Sequence, residues 1–104
     1  DRGAQLGIGF YVAPDIEVAR AYGLAQNYPN PGAVVRVCAI GFSRMSSKQV
    51  PVREWNQGWE SGQGLPTHYL TQYDYLTSRI SDTPNDQQIK FNIHTFGQLR
   101  LSAV

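Results

Sequence analysis

Cysteine occurs once in the 104 residues, at Cys38, so no internal disulfide can form and a cysteine-ligated zinc module is excluded as well. Charge is also scarce: 16% of the residues are charged, against roughly 25% in an average globular domain. Nine Lys and Arg against eight Asp and Glu leave a net charge of +1, too balanced to drive binding to a phosphate backbone by counterion release. Nucleic acid is therefore unsupported as a partner. No apolar run approaches the roughly 18 residues that a membrane span needs, and residues 1–12 lack the basic-then-apolar layout of a secretory leader. The expectation is a soluble chain with no membrane partner. No internal repeat or low-complexity block is present.

The usual catalytic signatures fail one by one. Gly7-Ile8-Gly9 is no dinucleotide fingerprint, because Val12 stands where the third glycine belongs and the glycines precede a strand. His68 and His94 lie far apart, with no HExxH motif and no cysteine pair, so no metal is expected. Ser43 and the other serines lack the glycine frame of a nucleophile elbow, and Cys38 is expected in a buried strand, where a thiol is inert.

What remains is aromatic and turn-rich: 41% hydrophobic residues, with ten Gly, six Pro, six Tyr and two Trp. This predicts an α+β domain over residues 1–104, a small mixed and mainly antiparallel sheet with one principal helix. Ile8 to Val12 alternates as a strand with Ile8, Phe10 and Val12 toward the core, which leaves Gly7, Gly9 and Tyr11 on the other face as a bare shelf beside an aromatic ring. Either a ligand or another backbone could occupy that shelf. Asp15 to about Asn27 reads as a helix with Val18, Ala19, Ala21, Tyr22 and Ala25 on one arc, and the Pro-rich stretch from Asn27 to Gly32 as a loop.

Ala33 to Phe42, a nearly continuous apolar run, is expected to be central in the sheet, with Arg36 snorkelling near a strand edge. Residues 43–71 read as a long excursion with a short helix near Arg53 to Trp59, in which Trp55, Trp59, His68 and Tyr69 anchor the loop to the core. Arg44, Lys48 and Arg53 form a loose basic cluster, read as a solvated face. Strands are expected at Tyr73 to Ile80, Gln88 to Ile93 and Leu99 to Val104, with a turn at Ser81 to Asp86.

One segment carries a family likeness. Gly9-Phe10-Tyr11-Val12-Ala13-Pro14-Asp15 running into Ala19-Arg20-Ala21-Tyr22-Gly23 resembles the diphtheria-type ADP-ribosyltransferases, the class of exotoxin A and of ADP-ribosyltransferase-like polymorphic toxins. The eleven-residue interval from Tyr11 to Tyr22 and the Gly32 to Val37 strand fit that pattern. The likeness is strong over residues 9–37, and Tyr73 to Phe91 is similar to the late strands more loosely.

The resemblance implies NAD as substrate, Tyr11 and Tyr22 bracketing nicotinamide beside Gly9 and Phe10, and cleavage of the nicotinamide–ribose bond with transfer of ADP-ribose to a protein acceptor. It also implies a toxin or effector domain that is secreted or delivered to a host cell. Parallel phenol rings suit a flat pyridinium through stacking and cation–π attraction. The family's late glutamate falls at Gln88 or Gln87, and glutamine can hold a ribose hydroxyl but cannot act as a base, so chemistry would be slower or would use Asp86. Clades with Gln or Asp at that place exist within the resemblance. The family's upstream histidine has no counterpart before Tyr11, which implies a fragment, a processed chain or a lost first strand, with an open sheet edge for a partner chain or a second copy. The rival readings are an NAD glycohydrolase, a catalytically degenerate interaction module, and a lectin-like or nucleic-acid-binding β-rich module.

Overall fold

The computed structural model describes residues 6–27, 29, 32–79 and 87–104. The expected turn from Ser81 to Asp86 and most of the expected loop between Asn27 and Gly32 lie outside the described residues.

The chain forms a small α+β fold built on two sheets. Strands β1 (Phe10–Val12), β3 (Ser47–Gln49), β4 (Tyr75–Arg79) and β5 (Gln87–Phe91) make a four-stranded sheet in the order β1-β5-β4-β3. Only the β3–β4 pair is parallel; β5 runs antiparallel to both neighbours. Strands β2 (Val35–Ala39) and β6 (Leu99–Ala103) form a separate antiparallel ribbon. Helix α1 (Ile16–Asn27) joins β1 to β2, while α2 (Val52–Ser61) and the single turn α3 (His68–Thr71) carry the crossover from β3 to β4.

Because side chains alternate across a strand, each face of the four-stranded sheet has its own role. Tyr11, Lys90 and Leu76 stand in one cross-strand row, on the face that packs against Leu6, Val50, Trp55 and Tyr69. Pro51 sits before the first turn of α2 and accepts the Glu54 amide at 2.9 Å, which starts the helix and turns Trp55 inward. The Trp55 indole then donates to Ser78 Oγ at 2.8 Å, and that hydroxyl donates to the Val50 carbonyl at 3.0 Å, so each buried polar atom is partnered. The Tyr69 hydroxyl donates to Glu54 at 2.8 Å. Trp55 and Tyr69 are thus the core anchors of the excursion.

Lys90 is fully buried in this face, at 0% exposure. Its ammonium donates to the Ile8 carbonyl at 3.1 Å and to Asn92 Oδ1. Asn92, also buried, donates its amide to the carbonyls of Tyr69 and Tyr73 at 2.9 and 2.7 Å. A methyl at Gly9 would run into the Lys90 stem and the Phe91 carbonyl, so a residue without a side chain is needed where β1 crosses the lysine.

The opposite face is aromatic. Phe10 lies opposite Phe91, and Phe91 opposite Tyr75. Phe42 stacks on Tyr75 at 5.0 Å and Phe96 meets Phe10 edge-on at 6.4 Å. Phe42 follows β2 and Phe96 precedes β6, so these two rings dock the ribbon onto the sheet.

Several expectations need correction. The apolar run from Ala33 to Phe42 is not central: β2 pairs only with β6 among the described residues, and Cys38 is exposed rather than buried. Its hydrophobicity serves a cavity wall, described below, instead of a sheet interior. Ile8 is 68% exposed, because it precedes the short β1 and the core position falls to Tyr11. In place of one principal helix there are three α-helices among the described residues.

Burial drives the Lys90 ammonium down from 10.5 to about 8 and the Tyr11 phenol up from 10 to about 12. The unfolded chain then holds the lysine proton longer than the folded chain, so stability rises with pH from about 8 to 10.5, by up to about 3 kcal/mol. The phenol acts in the opposite sense, since its proton is held longer in the folded chain, and stability falls from pH 10 to about 12. Urea unfolding from pH 7 to 11 should show a maximum near pH 10, and Lys90→Met should abolish the rising limb; an unchanged rise in that variant contradicts the assignment. Replacing Asn92 by Ala strands the buried ammonium and two carbonyls, and should cost about 3–5 kcal/mol.

Candidate functional site

Between the aromatic face of the sheet, the ribbon and α1 lies a cavity of about 970 Å³, at the upper end of the range for small-molecule sites. Its position follows from how α1 is held. Asp15 Oδ1 accepts the Glu17 amide at 2.8 Å and the Asp15 carbonyl accepts the Ala19 amide at 3.1 Å, so the helix starts directly after the Ala13-Pro14 corner. Ile16, Ala19 and Tyr22, spaced three apart, then line one wall. Tyr22 keeps 40% of its surface exposed. Val34, Val35 and Val37 form the opposing wall, with Val12 and Ile89 as the floor.

Five of the six site residues expected from the sequence line this one cavity: Phe10, Tyr11, Tyr22, Gln87 and Gln88. They come from β1, α1 and β5. Gly9 does not line it, since the shelf beside Tyr11 is filled by the Lys90 stem and the Phe91 carbonyl. It is backbone and a protein side chain that approach there, not open space for a ligand.

The two tyrosines differ in kind. The Tyr11 hydroxyl donates to the Gly7 carbonyl and accepts the Leu6 amide, and its ring packs on the buried cluster, so Tyr11 offers the cavity only part of a ring fixed at its far end. Tyr22 stands on the exposed helix wall. Gln87 and Gln88 alternate across β5: Gln88 pairs with Ser78 in a core-facing row, and Gln87 lies on the aromatic side with Ile89.

The remaining candidates lie elsewhere. His94 pairs with Asp74 at 2.8 Å, and a Ser46 amide bond together with that histidine holds the Asp74 carboxyl below its ordinary range. His68 packs edge-on against Tyr69. No group of three metal-ligating side chains occurs among the described residues. Lys48 covers the Tyr69 ring at 5.0 Å, and neither it nor Arg44 nor Arg53 lines the cavity. Asp86 and its suggested role lie outside the described residues.

Sequence reasoning missed Arg36 as a cavity residue. The signal is one arginine interrupting an otherwise apolar run, a pattern that a sheet interior and a cavity wall share. Among the described residues the lining includes no Asp, Glu or His, so the site can stack flat rings, donate and accept through glutamine amides, and attract an anion, with no side chain to take a proton.

Removing the Tyr11 hydroxyl in Tyr11→Phe should cost about 1–3 kcal/mol by leaving the Leu6 amide and Gly7 carbonyl without their partner. Gly9→Ala should cost at least as much, by driving a methyl into both the Lys90 stem and the Phe91 backbone carbonyl. Urea midpoints for both check this, and wild-type stability in either would contradict the placement of Tyr11 or Lys90. Compared with protein-family models, curated proteins and solved structures, the chain matches none.

Proposed function

We propose that the cavity binds NAD and that the chain is an ADP-ribosyltransferase-like domain, which breaks the nicotinamide–ribose bond and passes ADP-ribose to a protein acceptor. The observation that carries this reading is the convergence of Tyr11, Tyr22, Phe10, Gln87 and Gln88, residues from distant parts of the chain, on one cavity of about 970 Å³. That space accommodates a dinucleotide. Tyr22, which lines the cavity, supplies an aromatic ring suited to a flat cationic group. A glutamine amide at Gln88 or Gln87 holds a ribose hydroxyl and orients the sugar, while cleavage passes through an oxocarbenium-like state that favours a nearby anion. Glutamine supplies no such anion, so turnover is slow.

The lack of a carboxylate in the described lining favours a second reading, a binding module of the same fold that retains NAD without cleaving it. Purified chain incubated with NAD distinguishes the two. The transferase reading expects slow nicotinamide release above buffer, lowered at least tenfold by Tyr22→Ala and by Gln87→Ala, with label from NAD appearing on protein. Free ADP-ribose alone would indicate a glycohydrolase. A thermal shift with NAD but no nicotinamide release would leave the binding module, and neither effect would end both readings.

A further inference from the structure

Among the described residues, the cavity wall carries one formal charge, and it is positive. Arg36 lies in β2, where its register partner on β6 is Ser102, a neutral residue. The basic–acidic side-chain contacts within the described residues are Arg20 with Glu17 and His94 with Asp74, so Arg36 has no acid beside it there. The two neighbours of Arg36 in sequence, Val35 and Val37, line the same cavity and are apolar. Among the described residues no acid neutralises that guanidinium, the polar side chains that share the lining, Tyr11, Tyr22, Gln87 and Gln88, are uncharged, and the apolar walls strengthen its field toward whatever enters.

We propose that Arg36 is the anion anchor of the cavity and grips a phosphate or pyrophosphate group, so that the affinity for a dinucleotide resides in its phosphate-bearing half rather than in its nicotinamide. The inference rests on the NAD reading of the site for the identity of the ligand, but its chemistry extends to any phosphate-bearing aromatic compound. Guanidinium presents a planar fork of N–H donors that matches two phosphate oxygens at once. Carboxylate ligands share the charge, but a small acid would leave most of about 970 Å³ unfilled. A ligand with flat rings and a pyrophosphate satisfies both the apolar walls and the single cation.

Arg36 is exposed on a ribbon strand, so Arg36→Gln is expected to fold with an unchanged melting temperature, which circular dichroism verifies first. Calorimetric titration of wild type and of this variant with NAD, ADP-ribose and nicotinamide riboside then tests the proposal. A charge-assisted bidentate contact corresponds to a loss of about 10- to 100-fold in affinity. That loss is expected for NAD and ADP-ribose in Arg36→Gln, with nicotinamide riboside unaffected, partial rescue in Arg36→Lys, and a shallower salt dependence in the glutamine variant. Equal affinity of wild type and Arg36→Gln for ADP-ribose overturns the anchor and leaves the NAD reading in place. Binding of ADP-ribose that depends on Arg36, with no binding of NAD, supports the anchor and removes the NAD reading. No binding of any of the three to wild type overturns both.

Discussion

An ammonium group held inside the fold by neutral oxygens, with no carboxylate paired to it among the described residues, is the constraint around which the other elements are arranged. Taking a Lys charge out of water costs several kcal/mol even after relaxation, and Lys90 recovers part of that through the Ile8 carbonyl and the Asn92 side chain. Asn92 in turn is fully engaged, with its amide on Tyr69 and Tyr73 and its backbone carbonyl accepting from Thr95. One connected polar network therefore ties the segment before β1, the end of β5 and the connection from α3 to β4. Such a network specifies arrangement as much as it stabilises, because any slip of β5 by one residue would carry the lysine to the aromatic face and leave its acceptors bare.

The same strand serves the cavity. Lys90 and Gln88 point to the core side of β5, while Gln87, Ile89 and Phe91 point to the other. Locking Lys90 under Gly9 thereby sets where both glutamines emerge and fixes β1 against β5, with Tyr11 opposite Lys90. Tyr11 is pinned at its hydroxyl to Leu6 and Gly7. The floor of the cavity is thus rigid, and the α1 wall with Tyr22 is the more exposed side.

The chemistry open to the cavity depends on the groups that its described lining supplies. Departure of a pyridinium from a sugar needs an anion near the developing positive charge, and the described lining provides amides, rings, aliphatic side chains and one guanidinium. His94 is committed to Asp74, whose other oxygen accepts the Ser46 amide, and this cluster braces the β3–β4 side of the sheet rather than facing the cavity.

Much of this was legible in the linear chain. The Ala13-Pro14-Asp15 break, the helix after it, the strands at β4, β5 and β6, and the anchoring role of Trp55 and Tyr69 all follow from local chemistry: proline geometry, capping, alternation and the size of the aromatic residues. The tyrosines and glutamines that line one cavity were marked by the family resemblance rather than by local chemistry. Tertiary structure alone decided which apolar residues face the core. Ile8 and Tyr11 exchanged their expected roles because a buried lysine, invisible to any periodicity, claimed the space over Gly9. Likewise the run around Val35 became a cavity wall instead of a central strand, with Arg36 as the one charged side chain among its described residues. Hydrophobic pattern records that a residue avoids water but not what it meets instead, and a long-range pairing between positions 8 and 90 leaves no trace in either neighbourhood.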